Sequence, residues 1–112
     1  MRLVVLVVLF ALSAAAGAFA QSDAALVARG QQVYAAQKCT ICHAVAGKGN
    51  QKGSLDGVGS KLSADETRMW IVNAPEMTVK TKASRKPAMK AYANLPKEEL
   101  EALIAYMQSL KK

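Results

Sequence analysis

Apolar positions along the chain fall into distinct patterns. From Leu3 to Leu12 they run unbroken, and small residues follow, ending in Ala18-Phe19-Ala20. From Asp23 they become spaced, and Leu26, Val27, Val33 and Tyr34 predict one face of a helix running into Cys39. Residues 47–59 lose the period and hold five of the seven glycines, so they predict a loop. Gly57-Val58-Gly59 is read there as turn glycines, because no strand precedes it and no P-loop lysine pattern is present. Ser63-Ala64-Asp65-Glu66 matches the S-x-x-E capping box and predicts a helix start. That helix carries Met69, Trp70, Ile71 and Val72 and should end near Asn73, since Pro75 cannot continue it.

Residues 76–95 show no period and contain Pro87, so the expectation is an irregular stretch. A structureless segment of about twenty residues in a small domain usually serves function. Pro96 then opens a last helix whose buried stripe is Leu100, Leu103, Ile104, Met107 and Leu110. Glu98, Glu99 and Glu101 near its start and Lys111 and Lys112 at its end suit the helix dipole. No segment alternates as a strand would. The pattern predicts an all-α chain.

The first twenty residues change the domain picture. Arg2, the apolar run and the A-x-A ending read as an export signal, residues 1–20, cut after Ala20. The alternative is a retained membrane anchor, although Ser13, Gly17 and an alanine-rich second half weaken it as a span. Residues 21–112 then form one small domain, short enough to need a staple, a metal or a cofactor. Without Arg2 it has fourteen cationic side chains against eight acidic ones, a net charge of +6.

Both cysteines and the only histidine lie together in Cys39-Thr40-Ile41-Cys42-His43. A thiol–disulfide redox pair usually sits in a βαβ context, which this pattern lacks. A zinc site needs four ligands, and no second Cys or His pair exists. A plain disulfide leaves the adjacent histidine without a role. C-x-x-C-H is also the signature of covalent haem attachment. At the start of a helix, cysteines three apart reach two vinyl groups of one porphyrin, and the next residue projects its imidazole towards the iron.

With this motif, the stretch GSLDGVGSKL and the ending KPAMKAYANLPKEELEALIAYMQSL, the chain resembles the small class I c-type cytochromes over residues 23–112. These are soluble electron carriers of the bacterial periplasm. The resemblance implies one haem c, bound through Cys39 and Cys42, with three or four helices packed around it. It also implies His43 and a methionine as the axial iron ligands. Met107 and Met69 fall on helical core positions, which leaves Met89, with Met77 as the alternative. Met89 lies six residues before Leu95, as in the family, with Ala91 and Tyr92 matching the pattern that follows. Lys90 stands where the family usually has proline. The family's histidine-supporting G-P-x-L segment reads Gly53-Ser54-Leu55, so the expected hydrogen-bond acceptor for His43 is a backbone oxygen near Ser54. The resemblance also has the first and last helices crossing at Gly30, with Tyr34 against Tyr106.

No catalytic constellation is present, and the expectation is an electron carrier rather than an enzyme. Lys80, Lys82, Arg85, Lys86 and Lys90 crowd the methionine stretch, and Lys38, Lys48 and Lys52 flank the histidine. They suggest a docking face for acidic redox partners, whether oxidase, reductase or dehydrogenase. Nucleic acid is not an expected partner, because no basic stretch is interleaved with aromatics. The expected form is a periplasmic monomer without membrane insertion after cleavage. The alternative is a dedicated haem subunit of a periplasmic dehydrogenase.

Overall fold

The computed structural model describes residues 22–112. The expected export signal, residues 1–20 with cleavage after Ala20, lies outside the described residues. Five helices follow one another: α1 (Ser22–Ala36), α2 (Val58–Lys61), α3 (Ala64–Val72), α4 (Ala74–Thr81) and α5 (Lys97–Ser109). The all-α expectation holds, with one small exception. Ala44–Val45 (β1) and Lys48–Gly49 (β2) pair antiparallel around a tight turn. Strands of two residues are too short for alternation to be visible in sequence. No helix among the described residues is long and apolar enough to cross a membrane.

The main packing is α1 against α5. Gly30 is buried at their crossing, where a Cβ would overlap the Ala102 carbonyl oxygen and lie 2.6 Å from Tyr106 Cβ. Glycine inside a helix costs about 1 kcal/mol relative to alanine. Here it permits an approach that no other residue would allow. The expected meeting of Tyr34 with Tyr106 occurs at this crossing. Val33, Tyr34, Ile71, Leu103, Ile104, Tyr106 and Met107 form the core. Burying an aliphatic or aromatic side chain of this size contributes about 1.5–3 kcal/mol.

The predicted capping box opens α3. Ser63 Oγ accepts from the Glu66 amide at 3.1 Å, and Glu66 Oε1 accepts from the Ser63 amide at 3.1 Å. The predicted end at Asn73 also holds, with its amide bonded to the Met69 carbonyl.

Three expectations are corrected. Residues 74–81, mostly expected to be irregular, form α4, because Pro75 sits in the helix's first turn, where a missing N–H is harmless. The glycine-rich loop is interrupted by a 3-10 turn at Gln51–Gly53, and α2 starts within it. Helix α5 stops at Ser109, so its last turn has no basic residue. Lys111 lies beyond it and donates from Nζ to the Gly59 carbonyl at 2.6 Å, holding α2 against the end of α5.

Candidate functional site

The chain leaves α1 and turns through Lys38, whose φ of 56° is left-handed. Cys39–Ile41 then make a single 3-10 turn, and the His43 amide closes onto the Cys39 carbonyl at 2.8 Å. The cysteines therefore do not start a helix, as the sequence suggests. The reason is Asn50. Its backbone amide donates to the carbonyls of Thr40 and His43 at 3.2 and 3.0 Å. Its side-chain Nδ2 donates to the Ile41 carbonyl at 3.2 Å. Carbonyls that would propagate a helix are thus taken by a neighbouring loop.

Asn50 also shapes the turn after it. Its Oδ1 accepts from the Lys52 amide at 3.0 Å, and its carbonyl accepts from the Gly53 amide at 3.1 Å. This turn delivers the Gly53 carbonyl to His43, 2.9 Å from Nδ1. This is the backbone oxygen expected near Ser54, carried by the residue just before it. A carbonyl oxygen can only accept, so Nδ1 carries the proton and Nε2 keeps its lone pair for a metal. Such a second hydrogen bond is what orients metal-binding histidines generally.

Burial pushes the His43 pKa down, the Gly53 hydrogen bond opposes this, and the Arg85 cation adds to the lowering. The imidazole is therefore biased towards the neutral, ligating form. Burial pushes the Cys39 thiol up, with the Lys90 charge acting against it. Cys39 and Cys42 are free thiols and partly buried.

The methionine stretch beyond α4 is anchored near its far end. The Tyr92 amide donates to the Ile71 carbonyl at 2.7 Å, and Lys90 Nζ lies 5.1 Å from the Tyr92 ring centroid. Met89 is half-buried on this loop. Met77, expected in an irregular segment, is instead buried on α4. Met107 is buried on α5, and Met69 is half-buried on α3. Between the cysteine turn and the loop lies an open cleft of about 500 Å³, bordered by Ile41, Cys42, Asn50, Lys52, Arg85 and Lys86. All eight cations of the expected docking face are exposed. The ion pairs among the described residues, Arg29–Glu99 and Arg68–Glu101, involve none of them.

The donor set fits a haem c. Two thiols three residues apart precede an imidazole whose Nε2 is unengaged, and the apolar Val45, Leu55, Val58, Tyr92 and Leu95 remain only partly buried around the core.

A helical domain with α1 crossing α5, and a C-x-x-C-H turn braced by a backbone carbonyl, defines a c-type haem protein. The chain belongs to the cytochrome c family: the family model "Cytochrome c" matches residues 27–111. The chain is similar to the cytochrome c oxidase subunit 2 of Alkalihalophilus pseudofirmus, with 30% identity over 95 residues. That alignment covers 77% of this chain and 26% of the relative, so the chain spans about a quarter of the relative's length. No solved structure matches significantly. Family membership carries covalently bound haem c and haem-based electron transfer.

Two supports of the site are not singled out by the motif. Asn50 carries a local signal, since Asn two residues ahead of a bonded amide is an Asx turn. The placement of Arg85 against Gly53 carries none.

Proposed function

We propose that this protein is a periplasmic one-electron carrier in which His43 and Met89 are the axial ligands of a haem c held through Cys39 and Cys42. Haem iron supplies reversible chemistry between its ferric and ferrous states. The observation that carries the reading is the His43 Nδ1–Gly53 carbonyl bond of 2.9 Å, which fixes the tautomer and frees Nε2. Met89 offers a soft thioether from the loop across the cleft from the motif, a ligand that favours ferrous iron and raises the potential. A haem held by both His43 and Met89 would serve electron transfer rather than substrate binding. The exposed cations suit brief encounters with acidic redox partners. The exposed large hydrophobic side chains among the described residues are Ile41 and Val79 alone, fewer than a permanent interface uses.

Residues 1–20 support export to the periplasm. The test of location is the mass of the mature chain in the periplasmic fraction, expected to begin at Gln21. The test of the cofactor is acidic acetone extraction of the denatured protein. Colour should stay with the polypeptide, and colour in the solvent would overturn thioether attachment.

A second reading is a haem domain bound permanently to a larger redox enzyme. The similarity to an oxidase subunit favours it. Co-purification with a catalytic chain through a high-salt wash would establish it over the free carrier.

A further inference from the structure

The residue that supplies the acceptor of the His43 hydrogen bond is itself crowded at its Cα. A Cβ at Gly53 would overlap the Cys42 carbonyl oxygen on one side and Arg85 Nη1 on the other, with Arg85 Cζ at 2.9 Å. The Arg85 guanidinium therefore lies against the Gly53 backbone, and only glycine leaves room for it. Arg85 stands four residues ahead of Met89 on the same loop. One side chain thus reaches from the Met89 loop to the group that orients His43.

Neither ion pair among the described residues involves Arg85. The other charged side chains bordering the cleft are Lys52 and Lys86, which are also cationic. A guanidinium stays protonated at any pH the protein survives.

We propose that Arg85 is a positioning residue that raises the reduction potential of the iron through the Gly53–His43 pair. The inference rests on the haem reading. Oxidation adds a positive charge at the iron, and a cation packed against the residue that supplies the histidine's acceptor opposes that addition. Arg85 also polarises the Gly53 carbonyl, so it takes less electron density from His43 Nδ1–H, which leaves the imidazole a weaker donor. Both effects favour the ferrous state. Arg85 is exposed, so solvent screens part of its charge, and that screening grows with salt.

The test compares Arg85→Gln, Arg85→Lys and a distant control, Lys61→Gln at the end of α2, in the full haem-loaded chain. Each variant is first checked for covalent colour and for an unchanged visible spectrum. In redox titration at low salt, Arg85→Gln should shift the ferric-to-ferrous ratio at fixed ambient potential about three- to tenfold towards ferric, where a tenfold change is 59 mV for one electron. Arg85→Lys should retain most of the wild-type value, and Lys61→Gln should move it less than about twofold. Raising the salt should narrow the gap between wild type and Arg85→Gln. The proposal is overturned if Arg85→Gln shifts no further than Lys61→Gln, or if Arg85→Lys shifts as far as Arg85→Gln. Wild-type protein without covalent colour would overturn the haem reading and this inference with it, and extraction reveals that before any potential is measured.

Discussion

Tyr34 on α1 and Tyr106 on α5 meet edge to face, with ring centroids 5.6 Å apart and planes at 75°. The contact exists because Gly30, one helical turn before Tyr34, lets the two backbones close. It fixes the end of α1 from which the cysteine turn departs, so the crossing of the terminal helices sets where the site begins. An edge-to-face pair of this kind contributes about 0.5–1.5 kcal/mol beyond its buried area.

Gly30→Ala should therefore destabilise the protein although it improves helix propensity. The new methyl collides with the Ala102 carbonyl, a backbone atom that cannot rotate away. The overpacking cost is about 1–3 kcal/mol and outweighs a propensity gain of about 1 kcal/mol at most. Urea unfolding would show a lower midpoint. An unchanged or higher midpoint would mean that the helices do not cross this closely.

Tyr34 predicts an alkaline loss of stability. Its hydroxyl is buried with no hydrogen-bond partner among the described residues, and burial pushes its pKa from 10.0 to about 12. The folded state favours the neutral phenol. This contribution is complete below pH 10 and declines as pH rises from about 10 towards 12, where the unfolded chain ionises before the folded one. Its full size is on the order of 2 kcal/mol. Tyr34→Phe should flatten that decline and keep or raise stability at neutral pH, because it removes an orphaned polar group. A decline equally steep in the variant would assign it to other groups.

Asn50 should matter to assembly more than its loop position suggests. Asn50→Ala removes the bonds to the Ile41 carbonyl and the Lys52 amide, at about 0.5–1.5 kcal/mol each. Asn50→Asp keeps the acceptor and loses only the donor, so about half the effect is expected. Thermal unfolding, together with the fraction of chains carrying covalent haem, measures both. Equal effects of the two variants would sink this division.

Ligand identity separates two methionines that the fold places differently. Ferric protein with a thioether ligand shows a weak long-wavelength charge-transfer band. Met89→Ala should abolish it while leaving most of the fold intact. Met77→Ala should keep the band but destabilise the protein by about 2–5 kcal/mol, because Met77 is a buried side chain of α4. The reverse pattern of band loss would move the ligand to Met77.

The cationic face should act on encounter rather than stability. Lys82 and Lys86 are exposed, and neither joins an ion pair among the described residues. Reversing both to glutamate should slow electron transfer to an acidic partner and flatten its salt dependence. Stability should change by less than about 1 kcal/mol. Rates indifferent to both salt and charge reversal would favour the permanently bound haem domain.

Local and periodic information accounts for much of this molecule. The capping box at Ser63 and Glu66 needs only residues three apart, and the stripe of α5 needs only a repeat. The C-x-x-C-H motif places its chemistry within five consecutive positions. Each of these was legible because the interacting groups are neighbours in the chain. Helix α4 was not, since Pro75 reads as a terminator although it also fits the first turn of a new helix. Lys111 was misplaced for a related reason: its partner is a Gly59 carbonyl that sequence spacing cannot point to.

By itself, then, the sequence determined the helical class and the cofactor chemistry, and it singled out the residues proposed to carry that chemistry. Tertiary structure decided which atoms support them. The motif became a 3-10 turn because Asn50 takes its carbonyls, the backbone oxygen expected near Ser54 resolved to that of Gly53, and Arg85 came to rest on that glycine. These are contacts between segments brought together by chain folding, and their geometry depends on where the α1–α5 crossing and the methionine loop hold the backbone. A hydrogen bond responds to tenths of an ångström, and such distances are set by packing across the whole domain rather than by any local stretch of residues.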